Sequence, residues 1–178
     1  MVTEEPGGEE NMNHWEHEFR QRMKHFREGR ESGIELSIKI RVTSGCFHRE
    51  HSPEAYRIID NYMRSHPSDT FCLEEHESGP EVLVYFALAT AGITLAKSVV
   101  DLIATIIKAR ADGIRKGDSP CHPLVVIVRG VDVNDRFHEE EVMQIDSHAP
   151  PSIKAIEDSL SEAINRIAAE RVRQRKPS

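Results

Sequence analysis

Three cysteines in 178 residues, Cys46, Cys72 and Cys121, are odd in number and widely separated. That excludes a disulfide framework and makes a reducing cytoplasm the expected compartment. Positive charge is also in short supply. With 23 Lys and Arg against 30 Asp and Glu the net charge is −7; binding to phosphate backbones needs a basic footprint, so no nucleic-acid partner is expected. The opening MVTEEPGGEE is acidic and carries no basic-then-apolar targeting signal. Neither a G-x-x-x-x-G-K-[ST] loop nor a G-x-S-x-G elbow occurs, so the chain writes no phosphate cradle and no elbow-type nucleophile. Apolar residues amount to 38%, and no run reaches the roughly 20 consecutive apolar residues of a membrane-crossing helix.

What apolar capacity there is concentrates in residues 82–107, VLVYFALATAGITLAKSVVDLIATII. This stretch reads as one long central helix. Thr90, Thr94, Lys97, Asp101, Thr105, Lys108 and Asp112 recur every three or four residues and draw a single polar stripe. Lys and Asp cost about 2.5–3.5 kcal/mol each at a bilayer centre, which favours a core helix with one wet side. Thr94, Lys97, Asp101 and Lys108 should then face solvent or a partner, with Leu95, Val99, Leu102 and Ile106 buried against a sheet. Ser78-Gly79-Pro80-Glu81 fits a capping box in front of the helix. Arg110, Arg115 and Lys116 suit the negative end of its dipole, and Gly113 and Gly117 offer stopping points. The alternative is a membrane anchor near 82–104.

Along the rest of the chain, residues 1–11 read as a disordered acidic tail and 12–30 as an N-terminal amphipathic helix carrying Trp15, Phe19, Met23 and Phe26. Residues 31–178 read as one domain. In IELSIKIRV (34–42) apolar and polar residues alternate perfectly, which predicts a strand with one face on the core. Ser52-Pro53 opens a helix bearing Tyr56, Ile59, Tyr62 and Met63 that ends before Pro67. Thr70–Glu75 predicts a short strand, Leu124–Val128 a central one. A turn at Asn134-Asp135 leads into Phe137–Ile145, whose Glu139, Glu140 and Glu141 suit a sheet edge. After Pro150-Pro151, a helix N-capped by Ser152 carries Ile153, Ile156, Leu160, Ile164 and Ile167 on one stripe. It runs out in the basic Arg171–Lys176.

The chemistry-bearing residues are scattered. Ten histidines invite a metal reading: Cys46, His48 and His51 share a loop, Cys72 and His76 are four apart, and Cys121 adjoins His122. Tetrahedral zinc takes four such ligands, usually as paired short spacings, and C-x-H-x-x-H and C-x-x-x-H are not recognised finger or knuckle pairs. Buried thiols and surface histidines are the plainer account. His14, His17, Gln21 and His25 share a helical face, either simply solvated or responsive to pH. Glu139 and Glu141 would point together on their strand, as paired carboxylates or as edge protection.

The alternating strand IELSIKIRV, a helix, a short strand, the apolar VLVYFALATAGITLAKSVVDLIATII and the hairpin LVVIVRG/FHEEEVMQI succeed one another over residues 34–145. This order resembles the effector-associated constant component domains of prokaryotic signalling and conflict proteins. The chain departs from them by helices at both ends and a longer link from Lys108 to Pro123. The resemblance implies a non-catalytic adaptor and carries no functional residues across.

The expectation is an α+β domain with a mixed or antiparallel sheet of about four strands, helices on one face and one long central helix. It is read as non-enzymatic, without a cofactor, cytoplasmic, and acting through a protein partner or self-association. The polar face of the first strand and the N-terminal helix are the expected contact surfaces. A zinc-binding Cys/His protein and a membrane-associated protein are the alternatives.

Overall fold

A computed structural model describes residues 17, 20, 21, 24, 34–42, 47–67, 71–75, 81–88, 97–120, 123–131, 136–146 and 149–173. The expected acidic tail at 1–11 lies outside them. Of the expected N-terminal helix, His17, Arg20, Gln21 and Lys24 are described, and each has helical backbone. The elements that follow are β1 (Ile34–Val42), α1 (Pro53–Ser65), β2 (Phe71–Glu75), β3 (Glu81–Leu88), α2 (Lys97–Arg115), β4 (Leu124–Val131), β5 (Phe137–Ile145) and α3 (Ile153–Arg173).

The chain is α+β and its strands pair antiparallel, in the order β2-β3-β1-β4-β5. β1-α1-β2 and β3-α2-β4 are each a crossover that leaves one strand's width open, and each gap is filled by a strand of the other unit. Two split β-α-β units are thereby interleaved. The hairpin β4–β5 adds an outer strand at the edge where the three glutamates are expected, with one bulge between Val126 and Ile127.

The single helix expected over 82–107 is overturned. Glu81, expected inside a capping box, begins a strand, and Val84 is buried in the sheet core. β3 pairs with β1 on one side (Ile38 with Val84) and with β2 on the other (Leu73 with Val84). Val82, Val84, Tyr85 and Phe86 have the β-branched and aromatic character of strands, and periodicity cannot separate a short apolar run in a central strand from a buried helix. The helical reading holds from Lys97 onward. There Lys97 and Lys108 are exposed, Asp101, Thr105 and Asp112 half-buried, and Val99, Leu102 and Ile106 buried. The proposed anchor near 82–104 is thus a strand followed by a separate helix start. No helix among the described residues is long and apolar enough to cross a membrane.

One core cluster joins Phe47, Ala55, Tyr56 and Ile59 with the buried side of α2, with Leu160 and Ile164 of α3, and with Phe71, Val84, Leu124, Val126, Val128 and Ile145 of the sheet. Each fully buried Ile or Leu adds about 1.5–3 kcal/mol over its exposed state, so these stripes hold the helices down. The α3 stripe departs from expectation at one place: Ile156, Leu160, Ile164 and Ile167 are buried, but Ile153 is 57% exposed. Ser152 caps α3 as expected, its Oγ accepting from Ala155 N at 3.2 Å. Val125, Ile127 and Arg129, on the other side of β4, are buried too, and the Arg20 guanidinium lies 4.9 Å over the Phe137 ring.

Candidate functional site

α2 ends on a turn that does two jobs. Gly117 takes a φ of +113°, a conformation open to glycine. Gly117 N–H donates to Ile114 O at 3.1 Å and Asp118 N–H to Gly113 O at 2.9 Å, the paired bonds of a Schellman ending. The same turn aims the next side chain at α1. Asp118 Oδ1 accepts from Glu54 N at 3.0 Å and Oδ2 from Ala55 N at 2.9 Å. A carboxylate from another helix's end therefore satisfies two orphan donors of α1 and meets the positive end of its dipole. Ser52 occupies the N-cap position but makes no side-chain cap; its Oγ accepts from Arg110 Nη1 at 3.2 Å.

Arg110 is 1% exposed and Asp118 5%. Burial pulls the Arg110 guanidinium below its ordinary pKa, and the nearby Asp118 carboxylate works against that. The guanidinium also sits 5.7 Å over the Phe47 ring, while Tyr56 Oη donates to Phe47 O at 3.0 Å. At the surface, Arg49 is bidentate to Asp60 (2.8 and 2.8 Å) and bonds both oxygens of Glu75 (2.9 and 2.5 Å). It also lies 5.0 Å over the Tyr56 ring. At this junction of the helix pair Ser52, Arg110 and Asp118 are buried, with the Arg49–Asp60–Glu75 cluster on the surface above them.

Along the polar stripe of α2 the molecule is open. A groove of about 450 Å³ runs between Tyr62 and His66 of α1, the stripe residues Asp101, Thr105 and Lys108 with Arg115, and Pro150, Pro151, Ile153 and Ile156. Volumes of this size suit a small ligand or a short peptide segment. Ile107 and Ile156, both buried, give it an apolar floor, and Ile153 stands at its lip. Lys108, Arg115 and His66 bring cationic or ionisable nitrogen to the wall. Asp101 is held by Lys97 at 2.6 Å, and Arg115 bonds Asp112 at 2.7 Å. Tyr62 stacks on His66 with centroids 4.1 Å apart. Burial, and then the neighbouring Asp101 charge, raise the Tyr62 hydroxyl pKa, so it stays protonated at neutral pH. Thr105 Oγ1 donates back to Asp101 O at 2.7 Å. This set of groups suits binding.

The residues singled out for metal binding are placed unevenly. Cys46, His76, Cys121 and His122 lie outside the described residues. Cys72 is half-buried on β2, opposite Tyr85 in register. His48 and His51 do come together, with Glu50: their ligand atoms lie within 4.8 Å of one another, the one such group among the described residues. Of the N-terminal histidine face, exposed His17 Nε2 is 3.0 Å from Gln21 Nε2; His14 and His25 lie outside. The three glutamates of β5 are separately engaged, Glu139 by Arg129 at 2.9 Å, Glu140 by Arg166, and Glu141 by Gln144 at 2.8 Å. β1, whose polar face is an expected contact surface, is central in the sheet. Its register partners on that side of β4, Val125, Ile127 and Arg129, are buried.

Arg110, read from the sequence only as a cation suiting the helix's C-terminal dipole, is instead buried at the junction, and the sequence carries a signal for that. Arg110 follows Ile103, Ile106 and Ile107 by seven, four and three residues, which puts it on the apolar side of the helix. Glu50 carries no sequence signal of its own, because carboxylates are too common to stand out. Comparison with protein-family models, with curated proteins and with solved structures gives no match.

Proposed function

We propose that this chain is a non-catalytic domain acting in the cytoplasm through protein–protein contact, and that the groove beside α2 receives a short apolar segment bearing carboxylates from a partner protein. In this reading α1, α2 and α3 gather on one face of the sheet and leave the groove as the open edge of that layer. The observation that carries it is Ile153, the one large hydrophobic side chain among the described residues that is well exposed, at 57%. It stands on the lip of a concave surface whose wall offers Lys108, Arg115 and His66. Asp101 and Arg115 of the wall are already paired with Lys97 and Asp112, so Ile153 beside Lys108 and His66 fits an amphipathic, acidic occupant better than a neutral or basic one. The adaptor role implied by the resemblance to effector-associated constant component domains fits the same reading.

The test is fluorescence anisotropy with a labelled peptide alternating Leu and Glu, set against its Leu/Lys counterpart, together with light scattering on the unliganded chain. Binding of the acidic peptide alone is expected, weakening with salt. Ile153→Asp should reduce it about tenfold, the equivalent of one apolar contact of about 1.4 kcal/mol. Lys108→Glu should reduce it and flatten the salt dependence. Equal binding of both peptides, or of neither, overturns the reading. A dimer that Ile153→Asp converts to monomer would replace the partner segment by a second copy of the chain.

A further inference from the structure

We propose that the turn His48–His51 is a transition-metal site, in which the imidazoles of His48 and His51 and the carboxylate of Glu50 hold one zinc-class ion. The three ligand atoms lie within 4.8 Å of one another, and the two rings meet edge to face with centroids 4.4 Å apart. Donors around a tetrahedral zinc with bonds of 2.0–2.1 Å are roughly 3.3 Å apart. Small χ rotations of surface side chains close that difference. Glu50 and His51 are exposed and His48 half-buried, so the side chains have room to turn and an ion has a way in.

The backbone beneath them is already fixed. His51 N–H donates to His48 O at 3.1 Å, closing a β-turn, and Ser52 N–H donates to the same oxygen at 2.8 Å. On one side the turn is anchored by Phe47 and on the other by Ser52, both fully buried. His51 O accepts from Ser119 N at 3.2 Å, which ties it to the end of α2. The remaining cation of the turn, Arg49, is neutralised by Asp60 and Glu75. Little ordering is left for the ion to impose on the backbone. Two imidazoles and a carboxylate select the zinc, copper and nickel class over calcium or magnesium. Three ligands leave a fourth position for water or for a side chain of a partner. The function of such an ion is to lock the side chains of the β1–α1 turn, whose His51 carbonyl in turn meets Ser119 N after α2.

Isothermal titration with Zn2+ alone, on the full untagged chain, tests this. One site is expected whose affinity falls about tenfold or more in His51→Ala and again in Glu50→Gln, both exposed positions where loss of fold is not expected. His48→Ala should act likewise, with circular dichroism confirming that it folds. Because the site is assembled in the native chain, zinc should raise the urea midpoint of the wild type and leave that of a His48→Ala/His51→Ala variant unmoved. Zinc binding unchanged by His51→Ala and Glu50→Gln would place the ion elsewhere and overturn the proposal. So would the absence of binding, or a midpoint shift equal in wild type and double variant.

Discussion

α2 meets its surroundings in two opposite ways. At its C-terminal turn it touches α1 closely enough that a carboxylate and a backbone amide fill the space a methyl group would need. Along its polar stripe it shows Asp101, Thr105 and Lys108 to an open groove. The first region buries charge and gives each buried group a place in a fixed geometry. The second leaves an isoleucine in water. Buried polar contacts of the first kind specify one arrangement of the helices; exposed apolar surface of the second kind adds nothing to folding and, on the proposed function, is where a partner segment would sit. The two regions should therefore respond to mutation in opposite currencies, stability at the junction and binding at the groove.

The sharpest way to break this contrast is Gly113→Ala. A Cβ at Gly113 would stand 2.2 Å from Asp118 Oδ2 and 2.8 Å from Ala55 N. Neither the cap nor the helix backbone can yield without loss of the two bonds to Glu54 N and Ala55 N. Overpacking of about 1–3 kcal/mol together with a lost cap of about 1 kcal/mol gives an expected destabilisation of about 2–4 kcal/mol. Urea unfolding should show a lower midpoint at unchanged slope. A cost under about 0.5 kcal/mol, the range of ordinary surface changes, would mean that the junction is no tighter than the groove.

Asp118→Ala comes next. It strips the acceptors from Glu54 N and Ala55 N and removes the carboxylate that offsets the buried Arg110 charge. A loss of about 1–3 kcal/mol follows from leaving buried donors unmet. Asp118→Asn keeps one acceptor oxygen and should fall between the wild type and the alanine variant. Equal losses for Asn and Ala would assign the effect to the charge beside Arg110 and not to the cap.

The difference in what was legible follows the same line. Strand β1, the β4–β5 hairpin and α3 announce themselves through alternation, turn residues and an apolar stripe, because each is specified by its own neighbours in sequence. The polar stripe of α2 was legible for the same reason, and it is the wall of the groove. Residues 81–88 read as helix from sequence because Val-Leu-Val-Tyr-Phe has no period of its own; its strand identity comes from β1 and β2 on either side. The junction could not be read at all. Its cap joins residues 63 and 64 positions apart, and Ser52 sits where a local cap would, while its hydroxyl is used by Arg110. The groove likewise needs α3 laid beside α2, a placement set by packing far from Pro150.

The smallest expected effect separates buried from exposed charge at the junction itself. Hydrogen bonds from Arg49 hold the Asp60 carboxyl below its usual pKa. A carboxyl lowered in the folded state contributes stability above its unfolded value of about 3.9, and the contribution disappears as pH falls through the lowered folded value. With side chains 52% and 40% exposed, solvent screening holds the pair to about 1 kcal/mol or less. Arg49→Met should therefore cost little at pH 7, and its urea midpoint should converge on that of the wild type as the solution is taken below about pH 4. A loss in Arg49→Met as large at pH 3 as at pH 7 would show that the guanidinium lying over the Tyr56 ring, and not its pairing with Asp60, holds this surface.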